Sequence, residues 1–141
     1  MSRVDFYVLP ADARRDRYAC SIANKAWQNG YRVYIQTENT EDASHLDDLM
    51  WTFHDISFIP HALAGTEPAN ETPVLIGCNQ PPETCQVLIN LTREIPAGPG
   101  TLERIVEIVS NDETDRSQAR ERYRRYRQDG IEVNHHIIEQ V

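Results

Sequence analysis

Strands and helices alternate along the N-terminal part of this 141-residue chain, and the alternation predicts an α/β fold with a largely parallel sheet. The short apolar run Val4–Leu9 stops at Pro10, as a buried strand does. Apolar residues recur at helical spacing over Arg15–Asn29, and Gly30 follows at a position that commonly ends a helix. Tyr31–Gln36 then predicts a second strand.

Further elements are expected in the middle of the chain. A second helix begins at Thr40, because the two acidic residues that follow favour a helix N-terminus. The segment His54–Thr72 is irregular and rich in turn residues, and strands are expected at Val74–Ile76 and Gln86–Leu91. A Gly-Pro-Gly break precedes a helix that we expect over Leu102–Val109.

The C-terminal part predicts an arginine-rich helix from about Asp115 to Asp129, ended by Gly130, and a last strand over Ile131–His135. Short connections between helices and strands favour parallel neighbours in one sheet. No repeat or linker divides the sequence. We therefore expect a single Rossmann-like domain over residues 1–141, with a largely parallel central sheet flanked by helices.

The sequence shows no motif of a catalytic or cofactor site. The segment after the first strand reads PADARRDRY and lacks the glycines of a phosphate-binding loop, so no nucleotide cofactor is expected. The histidines and cysteines lack the spacing of zinc ligands, and no serine or cysteine has the surroundings of an activated nucleophile. An enzyme whose site is assembled from distant residues is left as an alternative.

Composition narrows the remaining classes of protein. No apolar run approaches the roughly 20 residues that a membrane span needs. Three scattered cysteines, Cys20, Cys78 and Cys85, favour a reducing cytoplasm over a disulfide framework. The net charge of −8 argues against a general nucleic-acid-binding protein, which is usually basic.

Positive charge is concentrated in one short segment. Six of the fourteen basic residues lie between Arg116 and Arg127, so this segment carries +5 and the rest of the chain −13. At about 100° per residue, four arginines and one tyrosine share an arc of roughly 100°. We call this set the arginine stripe: Arg116, Arg120, Tyr123, Arg124 and Arg127. Tyr126 flanks the arc and is expected to point toward the sheet, whereas Arg122 falls off the stripe. The arginine stripe is typical of a surface that binds an anionic partner, although the arginines of a solvated helix face can also pair with acids of the same protein.

Two longer motifs resemble a known family. The sequence reads LMWTFHDISFIPHALAG over Leu49–Gly65 and ARERYRRYRQDG over Ala119–Gly130. In the chi subunits of the bacterial DNA polymerase III holoenzyme, a helix ends with a tryptophan, F-[IV]-P-H-x-L-A-G follows, and a C-terminal helix contains A-R-E-R-Y-[KR]-x-Y-[KR]. The opening strand VDFYVL and the segment AWQNGYRVYIQT also fit this family. The resemblance therefore covers essentially the whole chain.

The resemblance implies an accessory protein of DNA replication that has no catalytic site, metal or cofactor of its own. Chi subunits form a heterodimer with the psi subunit, which attaches them to the clamp loader. They also bind the C-terminal tail of single-stranded DNA-binding protein, an acidic peptide that ends in a phenylalanine carboxylate. Direct binding of single-stranded nucleic acid through the arginine-rich helix is the alternative function, and the −13 charge elsewhere opposes it.

The resemblance also implies which residues bind the peptide. Arg116, Arg120 and Arg124 match the basic positions of the family, and Arg120 or Arg124 is expected to bind the terminal carboxylate. The phenylalanine ring is expected to contact an apolar wall, which consists of Trp51, Phe58, Val109 and Tyr123. Core packing is the alternative role for Trp51 and Phe58. The psi-binding surface is expected to be an exposed apolar patch away from the arginine stripe.

Overall fold

A computed structural model gives the structure of the chain and describes residues 2–52, 60–64, 72–96 and 102–139. Within these residues, seven strands form one sheet in which every pair of neighbours is parallel. The strands are β1 (Arg3–Val8), β2 (Val33–Gln36), β3 (His61–Leu63), β4 (Val74–Gly77), β5 (Val87–Asn90), β6 (Arg104–Val109) and β7 (Glu132–Ile137). The helices are α1 (Arg15–Gln28), α2 (Thr40–Thr52) and α3 (Glu113–Gln128). The predicted α/β fold with a parallel central sheet is confirmed.

The sheet has the strand order β3-β4-β2-β5-β6-β1-β7 and separates two layers of apolar side chains. Successive residues of a strand point to opposite faces, so Val33 and Ile35 of β2 join one layer and Tyr34 joins the other. Buried residues of α1 and α2 belong to the first layer, and those of α3 belong to the second. The arginine-rich helix therefore packs on its own face of the sheet.

Hydrogen bonds fix both ends of α3. The side chain of Asp112 accepts a hydrogen bond from the backbone N–H of Asp115 at 3.1 Å and caps the N-terminus. The Asp115 carboxylate accepts from the backbone N–H of Ser110 at 2.7 Å, which joins the start of the helix to the end of β6. At the other end, Gly130 adopts φ +77°, which allows the short turn into β7. The helix thus runs back along the sheet from the ends of its strands toward their starts.

The structure corrects one predicted element and refines others. The segment Leu102–Val109 contains a strand, β6, and not the expected helix. Residues 105–109 are all buried between the two layers, and four of these five are β-branched, which favours a central strand. The described part of the irregular segment contains the short strand β3, and the last strand extends to Ile137.

No helix within the described residues is both long and apolar enough to cross a bilayer.

Candidate functional site

A groove of about 800 Å³ lies between α3 and the strands β6, β1 and β7. Its floor is formed by side chains of the sheet, which are Phe6, Val8, Val109, His135 and Ile137. Its rim on the helix side contains the complete arginine stripe. The helical spacing in the sequence therefore predicted correctly that these five residues share one surface. We call this site the arginine groove.

The floor is most apolar where the strands end. Val109, Val8 and Ile137 are the last residues of β6, β1 and β7, and they lie side by side in register. Val109 is buried, whereas the side chain of Ile137 is 71% exposed. An apolar ligand group placed on this row would bury Ile137, and the burial would favour binding.

Tyr123 lies at the middle of the groove, where aromatic contacts hold its ring. The ring centroid is 5.6 Å from that of Phe6 and 6.3 Å from that of His135. The guanidinium carbon of Arg127 lies 5.9 Å from the Tyr123 centroid, within the range of a cation–π contact. The groove thus combines a positioned aromatic ring with positive charge.

The arginines of the stripe pair with neighbours on or beside the same helix. Arg120 Nη2 is 3.2 Å from Glu113 Oε1, with the two side chains 56% and 84% exposed. Arg124 pairs with Glu121, and Arg116 donates a hydrogen bond to the side chain of Asn111. Exposed ion pairs contribute only about 0–1 kcal/mol, so an anionic ligand can replace these acids at small cost.

Arg122 belongs to the same helix but points into the protein. Its Nε is 3.2 Å from Oε1 of Glu107. The other oxygen of Glu107 accepts hydrogen bonds from Asn90 at 2.9 Å and from the Tyr126 hydroxyl at 2.7 Å. Burial raises the pKa of Glu107, and the attraction of Arg122 opposes that rise. Burial also raises the pKa of the Tyr126 hydroxyl, and the nearby Glu107 raises it further.

This buried cluster attaches α3 to β5 and β6 and thereby fixes the helix face that lines the groove. The sequence predicted that Tyr126 faces the sheet and that Arg122 lies off the stripe, and both predictions are confirmed. The role of Arg122 is not apparent from the sequence, because the segment that contains its partner Glu107 predicts a helix and forms a strand instead. A buried strand with one acidic residue, RIVEIV, was the signal that could have revealed it.

The structure brings Arg116, Arg120, Tyr123, Arg124 and Val109 to the arginine groove. It does not bring Trp51 there.

Trp51 lies at the end of α2, and its ring centroid is 4.6 Å from that of His61 on β3. Since β3 and β7 are opposite edges of the sheet, Trp51 cannot be a wall of a pocket beside β7. Trp51 is also 60% exposed, so the alternative of core packing fails too. Phe58 lies outside the described residues.

A smaller crevice of about 380 Å³ lies at the carboxyl ends of the strands, where open α/β sheets commonly bind ligands. Arg15 spans it, with its Nε 3.0 Å from the Ile108 carbonyl oxygen and its Nη2 3.1 Å from that of Leu91. Asp16 is paired with Arg14 at 2.6 Å and lies 3.5 Å from His45 Nε2. Cationic and acidic groups are thus interleaved in the crevice, so the arginine groove is the stronger candidate for an anionic ligand.

The described residues contain no group of three or more His, Cys, Asp or Glu side chains that could hold a metal ion.

Comparison with known proteins identifies the family. A family model described as DNA polymerase III chi subunit, HolC, matches residues 1–134. The chain is 38% identical to DNA polymerase III subunit chi of Pseudomonas aeruginosa over the full length of both proteins. It is 32% identical to that of Escherichia coli K12, over 95% of this chain and 97% of the relative. It is 31% identical to that of Haemophilus influenzae, over 89% and 90%. The chain therefore belongs to the family of DNA polymerase III chi subunits.

Proposed function

We propose that this chain is a non-catalytic, cytoplasmic accessory subunit of the clamp-loader complex, which links the psi subunit to the C-terminal tail of single-stranded DNA-binding protein. Membership of the chi family supports a role in DNA replication. One structural observation supports the choice of ligand, namely that a row of apolar side chains and a row of arginines line the same groove.

The arginine groove suits a peptide that carries both an aromatic ring and negative charges. The row Val109–Val8–Ile137 offers an apolar surface for the terminal phenylalanine ring. Arg120 or Arg124 offers a planar fork to the terminal carboxylate, a geometry that favours two parallel hydrogen bonds. A polyphosphate backbone would use the arginines and leave the apolar row unoccupied.

The charge of the whole chain favours the peptide over nucleic acid. The net charge of −8 opposes extended contact with a phosphate backbone, whereas a short acidic tail contacts only the basic groove. We expect a dissociation constant near the micromolar range, about −8 kcal/mol. Added salt weakens the electrostatic part of this affinity.

The psi subunit is assigned to the opposite edge of the sheet. Trp51 exposes 60% of its surface beside β3, and large exposed aromatics are enriched in protein interfaces. This placement fits the expectation of an apolar patch away from the arginine stripe. The two partners then use separate surfaces, so the chain can hold both together.

Calorimetric titration tests the proposed ligand. The ligands are an acidic peptide ending in Pro-Phe with a free carboxylate, the same peptide amidated, the peptide without its phenylalanine, and single-stranded DNA. We expect binding of the first peptide alone, because only that peptide supplies both the ring and the terminal charge. Binding of DNA without binding of the peptide would instead support the alternative function and refute the adaptor.

A further inference from the structure

Strand β7 forms one edge of the sheet and borders the arginine groove. Among the described residues, β1 alone pairs with β7, and the two strands are parallel. Edge strands present a row of unpaired backbone N–H and C=O groups that can accept a further strand. His135 and Ile137 of this strand also form part of the groove floor. The unpaired backbone and the groove are therefore adjacent.

The register shows which backbone groups of β7 face outward. The N–H of Ile138 donates to the Val8 carbonyl oxygen at 2.9 Å, so this residue faces β1. Backbone groups alternate in direction along a strand, and hence the N–H and C=O groups of Val133, His135 and Ile137 face away from β1. Their side chains lie on the same face as α3, since Val133 packs in the α3 layer and the other two line the groove.

The two ends of the arginine groove differ in chemistry, and this difference sets the direction in which a peptide can bind. Its apolar row, Val109–Val8–Ile137, lies where the strands end, close to Arg116 at the start of α3. Arg127 lies at the other end and also lines a second hollow with Val133 near the start of β7. A peptide with a C-terminal aromatic residue on the apolar row and acidic residues upstream near Arg127 would therefore run in the same direction as β7.

Spacing along the helix matches spacing along an extended peptide. Arg116, Arg120 and Arg124 are four residues apart, or about 6 Å along a helix. Every second residue of an extended peptide is about 6.6 Å from the next on the same face. The stripe from Arg116 to Arg127 extends about 16 Å, the length of roughly five extended residues. Alternate side chains of one added strand can thus face successive arginines.

We propose that the acidic peptide binds as an eighth, parallel strand on the outer edge of β7. Its C-terminal aromatic ring then lies at the Ile137 end of the apolar row, its terminal carboxylate binds Arg120, and its upstream acids face Arg124 and Arg127. The proposal rests on the proposed function and adds the binding mode. Backbone hydrogen bonds to Val133, His135 and Ile137 then contribute to affinity, and the arginines select for acidic side chains.

Single N-methylation of the peptide tests the backbone contacts without altering the protein. The probe is a synthetic acidic peptide ending in Pro-Phe with a free carboxylate, methylated at one backbone nitrogen at a time upstream of the proline. We expect an alternating pattern, in which methylation of every second nitrogen weakens binding about two- to tenfold and methylation between these positions has little effect. Uniform small effects would overturn the added strand while leaving the proposed function intact. Failure of the unmethylated peptide to bind would overturn the proposed function itself.

A matched pair of protein variants tests the same backbone contacts by altering β7 instead of the peptide. His135→Pro removes an outward N–H from the edge strand, a position at which proline is tolerated. His135→Ala removes the same side chain and keeps the N–H. We expect weaker peptide binding for the proline variant than for the alanine variant, with both folded by circular dichroism. Equal affinity of two folded variants would contradict the edge contact.

Paramagnetic broadening of amide resonances measures the direction in which the peptide runs along β7. A nitroxide attached to the N-terminus of the peptide should broaden the backbone amide resonances of Glu132 and Val133, at the start of β7. Broadening at Ile137 and Ile138 would show the antiparallel direction and overturn the parallel strand.

Discussion

Nε of Arg122 lies 3.2 Å from Oε1 of Glu107, and the two side chains are 4% and 0% exposed. The pair joins the arginine-rich helix α3 to the central strand β6 under the arginine groove. A buried ion pair fixes geometry more effectively than it adds net stability, because both charges lose their hydration. Arg122 is therefore expected to matter for folding, whereas the arginines that line the groove are expected to matter for ligand binding.

Removal of Arg122 should destabilise the protein strongly. Arg122→Met leaves the Glu107 carboxylate buried without its cation, which costs about 3–5 kcal/mol. Arg125→Met is the matched control, since Arg125 is an exposed arginine of the same helix and its loss should change stability by less than about 0.5 kcal/mol. Urea unfolding of both variants gives the comparison. Equal stabilities would show that the buried pair does not hold the helix.

Charge reversal in the groove should abolish peptide binding without unfolding the protein. Arg120→Glu is expected to raise the dissociation constant for the acidic peptide by at least about tenfold, because an attraction becomes a repulsion. Arg125→Glu makes the same change of charge on the far side of the helix and should alter affinity far less. Melting temperatures of both variants should stay near that of the parent. A large fall for Arg120→Glu would identify it as a structural residue.

Acid should remove the stabilising contribution of Asp5. Burial tends to raise the pKa of this carboxyl, but hydrogen bonds from Arg104 and His136 outweigh burial and lower the pKa below its usual 3.8. A lowered pKa in the folded state means that the contribution is complete above pH 3.8 and is lost as the pH falls through the folded value. We expect Asp5→Asn to lower the free energy of unfolding by about 2 kcal/mol near pH 7. The difference from the parent should vanish in strong acid.

Urea titrations from pH 7 down to about pH 2 measure this window. Asp12→Asn removes an exposed carboxyl of the same type and serves as the control. A constant difference between Asp5→Asn and the parent at every pH would show that Asp5 acts through packing and not through its charge.

Truncation of Trp51 should separate the two proposed partners. Trp51→Ala removes an exposed ring beside β3 and is expected to weaken psi binding by about 2 kcal/mol or more, roughly thirtyfold. Affinity for the acidic peptide should not change, since Trp51 does not line the arginine groove. Tyr31→Ala, a substitution of another exposed aromatic, is the control. Loss of peptide binding in the tryptophan variant would show that Trp51 takes part in peptide binding.

The sequence predicted the features of this protein that depend on local spacing. Helical periodicity was sufficient to place Arg116, Arg120, Tyr123, Arg124 and Arg127 on one surface. The same periodicity predicts that Tyr126 faces the sheet, where the structure buries it.

Features that depend on distant contacts were not predicted. The sequence around Glu107 predicts a helix, since an acidic residue is expected in a buried strand only when its partner, here Arg122, is known. Strand β3 has three residues, too few for the alternation of buried and exposed side chains to be recognised in the sequence. The family motifs place Trp51 and Tyr123 in one site, but the strand order puts them at opposite edges of the sheet, and that order depends on how the chain crosses between strands.

Strand order also determines how the two ends of the sheet influence each other. Six inter-strand spacings separate β3 from β7, or roughly 29 Å at about 4.8 Å each. A ligand beside Trp51 and a ligand beside Tyr123 have no common contact across that width. Their binding free energies should therefore add, and a thermodynamic cycle over the two ligands should close with a coupling energy near zero. The sheet then acts as a spacer of fixed width, which sets the distance between its ligands and leaves their affinities independent.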